Sequence, residues 1–255
     1  GVYDGGIMQL NQNESARGPG PKTMQAIHAH TTKRVGRGYS PDHVNELRSA
    51  LADEYSVGRE NVMMATGSSP ILRGAVRAFC TAEKGLVSAG PTYSTCEQVA
   101  RQIGAGLEVI TLDNSMHIDL DGMANAAVGA GLVYFCNPNN PTGTVHGPGA
   151  VEGFVRRIMR ESPDTKILID EAYINYAAEG TIETALPLVH EFENVFISRS
   201  FSKAHALAGL RIGYALGQEQ TLKAMTDVWG MGEVNMLGAV AALTALQDKE
   251  HLEWE

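Results

Sequence analysis

The run SRSFSKAHALAGLRIGYALG, residues 198–217, carries Lys203 and, eight positions later, Arg211 among small, apolar and hydroxyl-bearing residues, with no acidic residue to pair them. An amine in such surroundings is desolvated and gives up its charge easily, which makes it a nucleophile and a base near neutral pH. The competing reading of Lys203 is a solvated surface lysine. Other residues offer matching chemistry. Asp170 closes the apolar run KILID, with Tyr173 three residues on, and Asn140 stands in NPNNPTG. Tyr93 follows a Gly-Pro turn, Ser200 and Ser202 surround the lysine, and Ser68 and Ser69 follow a Thr-Gly pair. Singly, each has an ordinary alternative: a helix N-cap for Asp170, a turn former for Asn140, core or helix-start packing for the tyrosines. Together they suit a phosphorylated heteroaromatic aldehyde. A lysine amine condenses with the aldehyde, and an acid beside the ring nitrogen keeps it protonated so that the ring takes up carbanion electrons. Hydroxyls, helix-terminal amides and an arginine grip the phosphate. The cofactor implied is pyridoxal 5′-phosphate. No metal cluster and no Ser-His-Asp order emerges, and the histidines, His205 beside the lysine included, receive no role.

Stepping outward from these residues, short apolar runs that read as strands recur at 61–66, 84–89, 107–112, 131–136, 166–170, 194–199 and 213–217. Helix-length segments at 70–82, 92–103, 147–161, 182–191 and 219–229 lie between most of them, and 236–246 reads as a buried helix. Strands that are apolar throughout and separated by helices predict a three-layer α/β sandwich around a mostly parallel, doubly wound sheet. Such sheets bind ligands outside the carboxyl ends of their strands. The polar segments TGSSP, GPTYS, NPNNPTG, DEAY and SFSK all follow expected strands. Five loops are therefore expected on one rim.

Composition narrows the function classes. The 255 residues are 44% hydrophobic, enough for one large buried core, and 20 Lys and Arg against 29 Asp and Glu leave a formal charge of −9. That charge repels phosphate backbones and anionic lipid surfaces, so neither nucleic acid nor membrane is expected as a partner. Three well-separated cysteines, Cys80, Cys96 and Cys136, support neither a disulfide framework nor a metal site. No stretch reaches the roughly 18 apolar residues of a membrane span. A cytoplasmic setting is the default expectation, the start at Gly1 leaving an export signal open.

The ordered blocks NPNNPTG (137–143), DEAY (170–173) and SFSKAHALAGLRIGY (200–214) resemble the signature blocks of the fold-type I, class I/II aminotransferases, most closely the histidinol-phosphate aminotransferase branch. The separations of 30, 33 and 8 between Asn140, Asp170, Lys203 and Arg211 carry the resemblance, which extends to LNQNES (10–15) and GRGYSPDHVNELRSALADEYSV (36–57). It implies a transaminase that moves an amino group between an amino acid, or an amine like histidinol phosphate, and a 2-oxo acid. Lys203 matches the Schiff-base lysine, Asp170 the partner of the pyridine nitrogen, and Asn140 with Tyr173 the pair on the ring's phenolic oxygen. Tyr93 matches the stacking aromatic, and Arg211, Ser200, Ser202, Ser68 and Ser69 match the phosphate site. Here the loop departs from the usual Gly-Ser-Asp-Glu: Pro70 has no amide hydrogen to offer. Tyr39 matches a tyrosine that reaches the neighbouring subunit's cofactor, implying a homodimer with shared sites. The implied organisation is an N-terminal arm over 1–35, a cofactor-binding large domain over 36–230 and, over 231–255, a helix leading to a small C-terminal domain largely absent from this chain. The stretch VWGMGEVNML (228–237) departs from the family's Pro-Phe-Asn-Val-Asn pattern, so substrate identity stays open. Two further readings share the cofactor contacts: a decarboxylase or lyase of the same fold, and a cofactor-binding paralogue without catalysis.

Overall fold

The structure, a computed structural model, describes residues 11–31 and 41–254. Tyr39 lies outside the described residues, as do positions 36–40 and Leu10 of the two outer segments that carry the resemblance. Seven strands form one sheet: β1 (Val62–Ala65), β2 (Leu86–Gly90), β3 (Leu107–Thr111), β4 (Leu132–Cys136), β5 (Lys166–Asp170), β6 (Val195–Ser200) and β7 (Gly213–Leu216). The helices are α1 (Pro21–His30), α2 (Pro41–Glu54), α3 (Ser68–Phe79), α4 (Thr95–Ile103), α5 (Leu120–Ala126), α6 (Pro148–Glu161), α7 (Leu186–Glu191), α8 (Glu219–Val228), α9 (Met236–Gln247) and α10 (Lys249–Trp254).

The strand order is β1-β7-β6-β5-β4-β2-β3. All strands run parallel except β7, which is antiparallel to both its neighbours, β1 and β6. The period-two alternation of a strand sends its side chains to opposite faces, and here both faces are covered. Val133, Phe135, Ile167, Ile169, Val195 and Ile197 enter one core with Leu47 and Leu51 of α2, Met123 of α5, Phe154 and Ile158 of α6, Leu188 of α7 and Ala239 of α9. Leu132, Tyr134, Leu168 and Phe196 enter the other with Ile71 and Leu72 of α3, Val99 of α4 and Met225 of α8. The strands read apolar throughout for this reason, and the three-layer sandwich expected from the sequence is the fold.

All seven strands fall within two residues of the expected bounds. Two helices are shorter than expected, and side-chain bonds to the backbone explain both. The segment 182–191 turns helical only at Leu186, because Glu171 accepts from the Ala185 amide at 2.6 Å and from the Thr184 hydroxyl at 3.0 Å. The segment 92–103 turns helical only at Thr95, because Thr92 donates to Asn139 at 2.7 Å. Helices α1, α2, α5 and α10 have no counterpart among the expected helix-length segments. The first two begin at a proline, which suits a position whose amide has no partner, and Asp119 caps α5 by accepting from the Gly122 amide at 2.9 Å. The apolar run expected as a buried helix is α9, which packs on α1 and α2.

Candidate active site

The carboxyl ends of β1, β2, β4, β5 and β6 open on one pocket of about 400 Å³. Ser68, Ser69, Tyr93, Asn140, Asp170, Tyr173, Ser200, Ser202, Lys203 and Arg211 all line it. Every site residue expected from the sequence within the described region is thus brought to one place. Four residues of the N-terminal segment, Asn11, Gln12, Asn13 and Glu14, also line it.

Asp170 ends the central strand β5 and is only 2% exposed. Its Oδ2 accepts from the Tyr134 hydroxyl at 3.0 Å and its Oδ1 from the Ser198 hydroxyl at 2.9 Å. Burial pushes the carboxyl up to about 6, against the pull of those two hydroxyls and the Ala172 amide. Among the described residues the Asp170 carboxyl thus has hydrogen-bond donors but no ion-pair partner. Cys136, the register partner of Asp170 on β4, also lines the pocket, its thiol pushed up to about 12 by burial and by the nearby carboxylate. Such a thiol is inert at neutral pH.

Lys203 sits on the turn that follows β6, a turn fixed by the fully buried Phe201 beneath it and by the Ser202 amide donating to the Ser200 hydroxyl at 3.0 Å. The ammonium is half-buried, and burial lowers its pKa, with Arg211 adding to the effect and Glu14 opposing it. Its Nζ donates to the Gln12 carbonyl at 2.8 Å and stands 5.5 Å from the centre of the Tyr173 ring. Among the described residues no carboxylate forms a salt bridge with it. The Tyr173 hydroxyl receives the Asn140 side-chain amide at 3.4 Å and that of Asn13 at 3.2 Å.

Arg211 is exposed and, among the described residues, has no carboxylate partner; its Nη1 donates to the Ala208 carbonyl at 2.8 Å. The backbone at Arg211 has φ 59°, a left-handed conformation that costs a side-chain-bearing residue about 1–2 kcal/mol and is found where surroundings or function impose it. Across from it, Gly67 has φ +90°, and a Cβ there would stand 2.5 Å from Arg211 Nη2. Gly67 precedes α3, and no side chain caps that helix. The first-turn amides of Ser68 and Ser69 therefore have no intrahelical acceptor, while Pro70 brings none. A free guanidinium, two helix-terminal amides and serine hydroxyls make an anion site.

Several residues of the site were not singled out from the sequence. Tyr134 and Ser198 lie inside apolar strands, and only the register that pairs Ser198 with Asp170 reveals their role. Asn139 is 3% exposed and ties two rim loops together, donating to the Pro91 carbonyl at 3.1 Å and to Thr142 at 2.8 Å. A third cation of the lysine run, Arg199, stands apart from the pocket and is paired: its Nη2 lies 2.7 Å from Glu171, and its Nη1 donates to the Tyr55 hydroxyl at 2.9 Å. Burial disfavours the Arg199 charge, but Glu171, Tyr214 and Tyr55 together outweigh it and keep the guanidinium protonated.

Among the described residues, no group of three metal-ligating side chains is found and no helix is long and apolar enough to cross a membrane. Residues 5–255 match the family model of aminotransferase class I and II. The histidinol-phosphate aminotransferase of Gluconacetobacter diazotrophicus is 35% identical over 249 residues, covering 96% of this chain and 67% of that protein. That of Moorella thermoacetica is 34% identical over 254 residues, covering 99% of this chain and 64% of the relative. A crystal structure of histidinol-phosphate aminotransferase from Sinorhizobium meliloti in complex with pyridoxal 5′-phosphate superimposes with a TM-score of 0.86 at 28% identity, covering 95% of this chain and 65% of that one. The chain thus spans about two thirds of the length of the proteins it matches.

Proposed function

This chain belongs to the class I and II aminotransferases, and from that premise we propose that it is the cofactor-binding part of a pyridoxal 5′-phosphate-dependent transaminase. The reaction moves an amino group between an amino acid, or an amine resembling histidinol phosphate, and a 2-oxo acid. The observation that carries this reading is the meeting, around one pocket, of a half-buried amine, a buried acid and an arginine, none of them in an ion pair with a described residue. Each of the three lacks the charge or bond that the cofactor would bring. The glycine at 67 keeps clear the space beside Arg211 that a side chain would fill.

When bound, the cofactor supplies an aldehyde that bonds an amine and a ring that takes up electrons as a proton leaves the neighbouring carbon. Lys203 would hold it at Nζ, and the same Nζ, whose affinity for a proton burial lowers, is the group that would take up and return a proton in the pocket. Asp170 would receive the ring's nitrogen, with Tyr134 and Ser198 fixing both carboxylate oxygens. Asn140 and Tyr173 would bind the ring's phenolic oxygen, and Tyr93, on the rim, would stack on the ring. Arg211, Ser200, Ser202 and the amides of Ser68 and Ser69 would take the phosphate.

The catalytic unit in this reading is a homodimer in which Tyr39 reaches the partner's cofactor, and the chain divides into an arm, a large domain over 36–230 and a segment over 231–255 that leads to a small domain. Three buried free cysteines suit a reducing, cytoplasmic setting. Reconstitution of the full-length protein with pyridoxal 5′-phosphate is expected to produce a visible absorption band that Lys203→Ala abolishes, with amino transfer falling at least about 10³-fold. Retention of the band and of turnover by that variant would refute the assignment. Carbon dioxide release in place of amino transfer would move the reading to a decarboxylase.

A further inference from the structure

The segment 11–14 crosses the pocket on the side of Lys203 and Tyr173, seated by the bond from Lys203 Nζ to the Gln12 carbonyl at 2.8 Å. Next to that carbonyl, Asn13 has φ 52°, a left-handed conformation that asparagine tolerates better than most residues and that glycine adopts freely. Its backbone requires no amide. The side chain is exposed to solvent, and among the described residues its only hydrogen bond runs to the Tyr173 hydroxyl, 160 positions away, at 3.2 Å. A tyrosine hydroxyl both accepts hydrogen bonds and donates one proton. Asn13 Nδ2 and Asn140 Nδ2, at 3.2 and 3.4 Å, both donate to this oxygen, so the bond left for the phenol to make is the one it donates. Two N–H groups given to a hydroxyl also polarise it and strengthen the bond it makes next.

We propose that Asn13 is a positioning residue: by donating to the Tyr173 hydroxyl alongside Asn140, it commits the phenolic proton to the acceptor that occupies the pocket. On the reading given under Proposed function, on which this inference rests, that acceptor is the phenolic oxygen of the bound cofactor. A donated hydrogen bond favours the ionised form of that oxygen and lowers the pH at which the cofactor's visible band changes.

The test is a pH titration of that band in the full-length, cofactor-loaded protein. Asn13→Gly keeps the backbone conformation and removes the amide, and the midpoint is expected to rise by about half a pH unit. Asn13→Asp replaces the donor with a charged acceptor that draws the phenolic proton away, and the midpoint is expected to rise by about one unit. In a Tyr173→Phe background the same substitutions are expected to change nothing further, since no hydroxyl remains to position. Midpoints equal to wild type in both single variants, or equal shifts with and without the Tyr173 hydroxyl, overturn the inference while leaving the cofactor reading intact. A wild-type protein that takes up no cofactor overturns both. If Asn13→Asp fails to load, Asn13→Gly decides the matter alone.

Discussion

Asp170 is deprived of water before any cation has arrived to pair with it. Its pKa in the cofactor-free fold is about 6 against an ordinary value of 3.8, so between those values the folded state holds a proton that the unfolded state has released. Stability must therefore fall as the pH rises across that window and stay reduced above it; the gap corresponds to a cost on the order of 3 kcal/mol at neutral pH. Thermal melts of cofactor-free protein should show Asp170→Asn matching wild type near pH 4 and melting above it at pH 7, with cofactor affinity lost. A difference between the two proteins that does not change with pH would contradict a buried, ionisable Asp170. The lysine, acid and arginine were legible because their types are conspicuous in apolar surroundings. Tyr134 and Ser198 were not, since a tyrosine and a serine inside apolar strands look like packing until β4, β5 and β6 are laid side by side.

At the scale of elements, the phosphate end of the site depends on how closely β7 approaches the start of α3. A Cβ at Gly213 would stand 2.5 Å from the Gly67 carbonyl carbon and 2.7 Å from the Ser68 amide, so this approach is open only to glycine. Gly67 itself combines a positive φ with a position where a Cβ would stand 2.5 Å from Arg211 Nη2. Gly67→Ala is expected to displace that guanidinium and to weaken pyridoxal 5′-phosphate binding by about tenfold or more, at a stability cost of about 1–3 kcal/mol. Pyridoxal, which lacks the phosphate, is the control: its affinity should change far less, and an equal loss for both ligands would place the damage elsewhere. Fluorescence titration reads both. The strands and the helices that cover them were legible from apolar runs and strand-end polarity. Helices α1 and α2 were not, because α1 buries only Thr23 and α2 only Leu47, Leu51 and Ala52, and among the described residues neither follows a strand. Edge strand β3 was read correctly although Glu108, Val109 and Thr111 are exposed, since LEVIT is rich in apolar and β-branched residues.

For the molecule as a whole, the sheet delivers five loops to one rim, but among the described residues the pocket they form leaves Tyr93 37% exposed. A site that must exclude water during proton transfer needs further cover. The resemblance supplies one candidate in Tyr39, carried from a neighbouring subunit, and this arrangement has an arithmetic consequence. If Tyr39 of one subunit completes the site that holds Lys203 of the other, the full-length variants Tyr39→Ala and Lys203→Ala fail for reasons that lie on different chains of each site. Mixed and allowed to exchange subunits, half of the dimers are hybrids, and each hybrid contains one site with both native residues and one with neither. Activity should therefore recover to about a quarter of wild type in the mixture, and only after exchange, as expected for a two-fold interface that both chains share. Activity that stays at the level of the separate variants once exchange is complete would place Tyr39 in the same subunit's site or outside it altogether, and the cover over the pocket would then have to come from the chain's own remaining segments.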